Sequence, residues 1–94
     1  MARAIWNGAV IAESDAYKII EGNVYFPPDS VKHEYLRASD HRTVCFWKGV
    51  ANYYDIVVGG KANLQAAWFY PTPKPAASSI RNYISFWHGV VVER

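Results

Sequence analysis

A single cysteine, Cys45, stands in 94 residues. That excludes an intramolecular disulfide, a Cys-x-x-Cys zinc site and a thioredoxin-like pair, and a free thiol fits a reducing compartment. Charge of one sign is also scarce. The net charge is +2, and Lys18, Lys32, Arg37, Lys48, Lys61, Lys74 and Arg81 form no run, so the basic patch that marks a nucleic-acid binder is missing. No apolar run approaches the ~20 residues needed to span a bilayer. The N-terminal Met-Ala-Arg-Ala-Ile-Trp-Asn-Gly lacks an apolar signal region. These absences predict a cytoplasmic protein with neither nucleic acid nor membrane as its partner. The three histidines, His33, His41 and His88, have no mate at metal-ligand spacing, and His33-Glu34 lacks the second histidine of a His-Glu-x-x-His site. Neither Gly-x-Gly-x-x-Gly nor Gly-x-x-x-x-Gly-Lys occurs. No metal and no cofactor are implied.

What the chain does have is apolar and aromatic bulk. Half its residues are hydrophobic and 16% are aromatic, enough for one folded domain over residues 1–94 with a thin core. Turn signals recur every 8–12 residues between short apolar runs, which predicts a mainly β domain. Asn7-Gly8 between Ala4-Ile5-Trp6 and Ala9–Ala12 predicts a hairpin through a type I′ turn. Tyr17–Ile20 and Val24–Phe26 read as strands around Glu21-Gly22-Asn23, and Pro27-Pro28 ends the second. Asp29 or Ser30 can cap one short helix over residues 29–36, with Val31 and Tyr35 inward. Residues 38–41 read as a loop. Thr43–Trp47 and Ala51–Val58 read as a second hairpin across Lys48-Gly49-Val50. Gly59-Gly60-Lys61 is a turn and Ala66–Tyr70 a strand. The prolines of 71–75 forbid regular pairing, and residues 76–82 make one helical turn. Tyr83–Trp87 and Val90–Val92 are closing strands around His88-Gly89.

Reactive groups concentrate in Cys45–Asp55. Cys45 reads as a nucleophile if a neighbouring cation lowers its pKa, or as a small hydrophobe inside a strand. Lys48, at a hairpin end, reads as an anchor for a carboxylate or phosphate, or as a solvated turn lysine. Tyr53 and Tyr54 alternate faces; if Tyr53 and Asp55 point one way, Tyr54 points the other. One set packs the core and the other can line a cavity. Trp68-Phe69-Tyr70-Pro71-Thr72-Pro73 and Tyr25-Phe26-Pro27-Pro28 read as rigid pocket rims or as clasps closing a small sheet.

Trp6-Asn7-Gly8, Ile11–Ser14 and Glu21–Pro27, followed by Cys45-Phe46-Trp47-Lys48-Gly49-Val50-Ala51-Asn52-Tyr53-Tyr54, resemble a small bacterial family catalogued as domain of unknown function 427. Its central signature is Cys-Pro-aromatic-Lys-Gly-x-Ala-x-Tyr-aromatic, with Phe46 here in place of the proline. Ala67–Pro71, Pro73-Lys74-Pro75 and Ile80–Phe86 extend the resemblance over nearly the whole chain, although Arg81-Asn82 stands where a glycine is common. The resemblance implies coiled antiparallel sheets of the β-tent type. Relatives of that fold often hold zinc on two Cys-x-x-Cys pairs, which this chain lacks. A nucleotidyltransferase-like label is sometimes attached to the family, but this sequence has no Gly-Ser loop and no carboxylate pair at metal-binding spacing.

Three functional readings follow. The first is a small-molecule-binding domain with a pocket of Tyr25, Trp47, Tyr54, Trp68 and Tyr70 around Lys48. The second is an enzyme using Cys45 or Lys48, with Tyr54 and Asp55 as proton handlers. The third is a structural or interaction protein, marked by a homodimer that shields Trp6 or Trp87.

Overall fold

The computed structural model describes all 94 residues and is mainly β, with several antiparallel sheets and no long helix. Strand β1 (Ala2–Trp6) turns through Asn7-Gly8 into β2 (Ala9–Ser14). Both turn residues have positive φ, 48° and 79°, the backbone that a two-residue type I′ turn demands and Asn-Gly tolerates. The last strand, β9 (Val91–Glu93), pairs with the other edge of β1, giving the order β2-β1-β9. A two-stranded ribbon joins β3 (Lys18–Ile20) to β4 (Asn23–Tyr25). Its turn, Glu21-Gly22, also lies at positive φ, 55° and 79°.

The main sheet runs β5 (Leu36–Cys45), β6 (Gly49–Val58), β7 (Lys61–Phe69), β8 (Ile84–Phe86). Its two sides serve different purposes, and period-two alternation sorts the residues between them. Ile56 and Val58 of β6, Ala67 of β7, and Ile84 and Phe86 of β8 face β1 and β2, where they join Ala2, Ala4, Ile11 and Ala12 in the larger core. Tyr54 and Phe69 pack on that same side. Ala51 and Tyr53 face the opposite way and form a smaller cluster with Tyr25, Tyr70, Ala77 and Ile80. β4 follows the same alternation: Val24 and Phe26 enter the larger core while Tyr25 enters the smaller one. It is fastened to β8 by reciprocal Phe26–Ile84 backbone hydrogen bonds of 2.8 and 2.9 Å and by Ser85 Oγ donating to Val24 O at 2.9 Å.

Three local expectations change. The helical segment at 29–36 forms two separate 3-10 turns, Pro28–Ser30 and His33–Tyr35. The Ser30 hydroxyl donates back to Pro27 O at 2.7 Å, and neither turn has a side-chain cap. Between them Val31 bridges to Ala12, and Lys32 N donates to Ile11 O at 2.8 Å. Pairing with β2 thus draws the chain out where a helix would have continued. Residues 38–41, expected as a loop, lie within β5 as an irregularity between Ala38 and Arg42. The hairpin loop is Phe46-Trp47-Lys48, because Cys45 already pairs with Gly49.

Candidate functional site

An open pocket of about 280 Å³ lies on the smaller-cluster side of the main sheet, lined by Asn23, Tyr25, Lys48, Tyr53, Trp68, Tyr70 and Trp87. The strand register builds its wall. Tyr53 and Trp68 are cross-strand partners, and Trp68 in turn opposes Ser85, so these side chains share one face. Trp87 lies two residues beyond Ser85 and packs edge-on to Trp68 at 5.4 Å between ring centres. Tyr25 comes from the β3–β4 ribbon, 6.2 Å from Trp68 and perpendicular to it. The Trp68 indole donates to the Tyr25 hydroxyl at 3.2 Å. Thr43 and Tyr53 share a hydroxyl–hydroxyl bond of 2.9 Å, which fixes the Tyr53 ring.

Lys48 ends the hairpin loop and is only 6% exposed. Its ammonium forms an ion pair with Glu21 of the ribbon turn, and it lies 5.2 Å from the Trp47 ring centre and 5.7 Å from that of Tyr70. Burial opposes the Lys48 charge. The Glu21 hydrogen bond, with the Tyr25, Tyr70 and Cys45 side chains, outweighs that and raises its pKa above the ordinary lysine value. Glu21 correspondingly titrates below its usual range, chiefly through the Lys48 hydrogen bond. The loop is braced from outside: Lys74 N donates to Lys48 O at 2.9 Å and Lys74 Nζ to Phe46 O at 2.5 Å.

Burial pushes the Tyr70 phenol up to about 12, with Tyr25, Cys45 and Tyr53 adding and Lys48 opposing. Between pH 10 and 12 an unfolded Tyr70 loses its proton while the folded one keeps it. The stabilisation is therefore complete below pH 10 and is lost as the pH rises through about 12; at full effect it is worth roughly 2–3 kcal/mol. Lys48, whose pKa is raised from 10.5, acts in the same direction. Urea midpoints measured from pH 9 to 12 should fall steeply in the native protein and less steeply in Tyr70→Phe.

Of the residues expected in a pocket, Tyr25, Lys48, Trp68 and Tyr70 line it together. Trp47 packs against the same cluster behind the ammonium. Tyr54 does not reach the pocket. It lies on the reverse face, stacked on Phe69 at 4.7 Å, and burial there raises its pKa. Its place in the wall is taken by Tyr53, one residue earlier. Alternation alone leaves Tyr53 and Tyr54 as alternatives for the lining, and nothing in the sequence places Asn23 or Trp87 there. Alternation along β8 carries the signal for Trp87, but only once Trp68 is known to oppose Ser85.

The proton-handling set does not assemble. Cys45 packs half-buried beside the smaller cluster, near Lys48. Asp55 is instead engaged at a sheet irregularity, accepting from Gln65 N at 2.8 Å and pairing with Arg37 at 3.3 Å. Gln65 there has φ of 56°, so the carboxylate secures a kink in β7. Asp55→Ala should cost about 1–3 kcal/mol by leaving that amide without its acceptor. Asp55→Asn, which keeps an acceptor oxygen, should cost less; chemical denaturation of both variants checks the order.

The family described as "Domain of unknown function (DUF427)" matches residues 1–94. Comparison with curated proteins gives no match. No helix is long and apolar enough to cross a membrane.

Proposed function

Starting from a chain that belongs to the DUF427 family along its whole length, we propose that it is a small-molecule-binding domain whose ligand sits among Tyr25, Tyr53, Trp68, Tyr70 and Trp87 and is anchored by Lys48. The observation that carries this reading is the buried ammonium beside an open aromatic hollow. A lysine whose side chain is only 7% exposed is costly to keep charged, and packing alone would favour an apolar side chain there. Pockets that bind small molecules combine apolar walls with a few placed polar groups, and this hollow has that composition. Trp87, 43% exposed, stands at its mouth, so entry needs no rearrangement of the core. The protein acts in the cytoplasm of a bacterial cell, on a soluble metabolite.

A panel of anionic, neutral and cationic aromatic metabolites, screened by thermal shift and by quenching of tryptophan fluorescence, tests the reading. A binder should raise the midpoint, and Lys48→Met should weaken it at least tenfold. If no class of compound binds, the reading fails.

A further inference from the structure

Resting on that pocket reading, we infer that the ligand is a planar aromatic monocarboxylate whose carboxylate displaces Glu21 from Lys48. Glu21 thus serves as an internal stand-in for the ligand's anionic group.

The two ends of the ion pair are unequal. The Glu21 side chain is 53% exposed and that of Lys48 only 7%. When the pair opens, Glu21 turns to water at little cost, whereas Lys48 has no comparable access to solvent and requires another anion. A carboxylate exchanged for a carboxylate keeps the site neutral; a dianionic phosphate would not. Glu21 also sits in the left-handed region, at φ of 55°, where glycine and asparagine are at ease and a longer side chain is not. The turn therefore holds a carboxylate against Lys48 at a backbone cost.

Further donors line the same hollow as Lys48. Tyr70 and Asn23 are among its lining residues, and a phenol hydroxyl and a side-chain amide can both donate. The Tyr25 hydroxyl accepts from Trp68 and retains its own proton to give. Three donor-bearing side chains and a cation in one small hollow favour an acceptor-only, negatively charged group. The remaining walls, Tyr53, Trp68 and Trp87, are π-faces, and about 280 Å³ admits one or two fused rings.

Isothermal titration with 2-naphthoate, its uncharged amide 2-naphthamide, and 2-naphthyl phosphate tests the inference on the native protein, Glu21→Gln, Lys48→Met and Tyr70→Phe. In the native protein the carboxylate should bind at least about tenfold more tightly than the amide and more tightly than the phosphate. Glu21→Gln, which removes the competitor, should bind the carboxylate at least about fivefold more tightly and leave the amide unchanged. Lys48→Met should erase the preference for carboxylate over amide. If its thermal midpoint shows that Lys48→Met does not fold, Tyr70→Phe carries the same test, with a loss of roughly three- to tenfold for the carboxylate alone. Equal binding of amide and carboxylate, tighter phosphate binding, or an unimproved Glu21→Gln overturns the inference while leaving a binding pocket in place. If none of the three probes binds the native protein or Glu21→Gln, the carboxylate assignment is overturned, and the broader metabolite panel alone decides the pocket.

Discussion

Replacing Phe26 with alanine should cost about 3–5 kcal/mol and lower the thermal midpoint by roughly 12 °C or more. Phe26 is fully buried and meets Phe86 edge-on at 5.7 Å between ring centres. Its backbone makes the reciprocal hydrogen bonds that fasten the ribbon to β8. The lost ring leaves a cavity between strands already held in register by main-chain bonds, so the site cannot collapse to fill it. A domain of this size has about 5–10 kcal/mol to lose. The neighbouring Tyr25 forms one wall of the pocket, so affinity should fall along with stability. Differential scanning calorimetry and urea titration give the first quantity, and ligand titration well below the midpoint gives the second. A midpoint lowered by less than about 4 °C would show that β4 docks without help from this ring.

Gly49→Ala should also lose stability, about 1–3 kcal/mol, for a different reason. Gly49 has φ of 118°, and an added Cβ would lie 3.3 Å from Thr72 O and 3.6 Å from Lys74 N. Those neighbours are backbone atoms of the proline segment and cannot swing aside. Gly60→Ala is the matched control. Its φ is also positive, 77°, but nothing lies within 4 Å of the added carbon, so only the conformational cost of about 1 kcal/mol remains. Because Gly49 follows Lys48 directly, Gly49→Ala should also displace the ammonium and weaken binding, whereas Gly60→Ala should not. Equal losses for both variants would mean that φ alone, not the approach of Thr72, requires glycine at position 49.

Local turn chemistry was legible in the sequence; side assignment was not. Asn7-Gly8, Glu21-Gly22 and Gly59-Gly60 each place two positive-φ residues at a strand reversal, and the glycine in each announces the turn. The aromatic character of the site is equally plain in the sequence, since Tyr25, Trp68 and Tyr70 stand in its aromatic–proline segments and line the hollow. The error at Tyr54 is one of parity. Alternation separates Tyr53 from Tyr54, but which of them meets the hollow depends on the side from which β1 and β2 pack, and that is a tertiary fact. β5 and β7 also begin earlier than expected. Lys61-Ala62-Asn63 and Arg37-Ala38 are poor strand formers by composition. They are extended because their partners in β6 supply the hydrogen bonds. The helix expected at 29–36 gave way for the same reason, once Val31 and Lys32 paired with β2.

The segment Pro71–Pro75 stiffens the connection after β7, and two of its lysine bonds grip the 46–48 loop from behind. Residues outside the hollow therefore set how far the cation projects. On the proposed reading, exchanging Thr72 or Lys74 would shift selectivity by remote adjustment, with every residue lining the hollow left as it is.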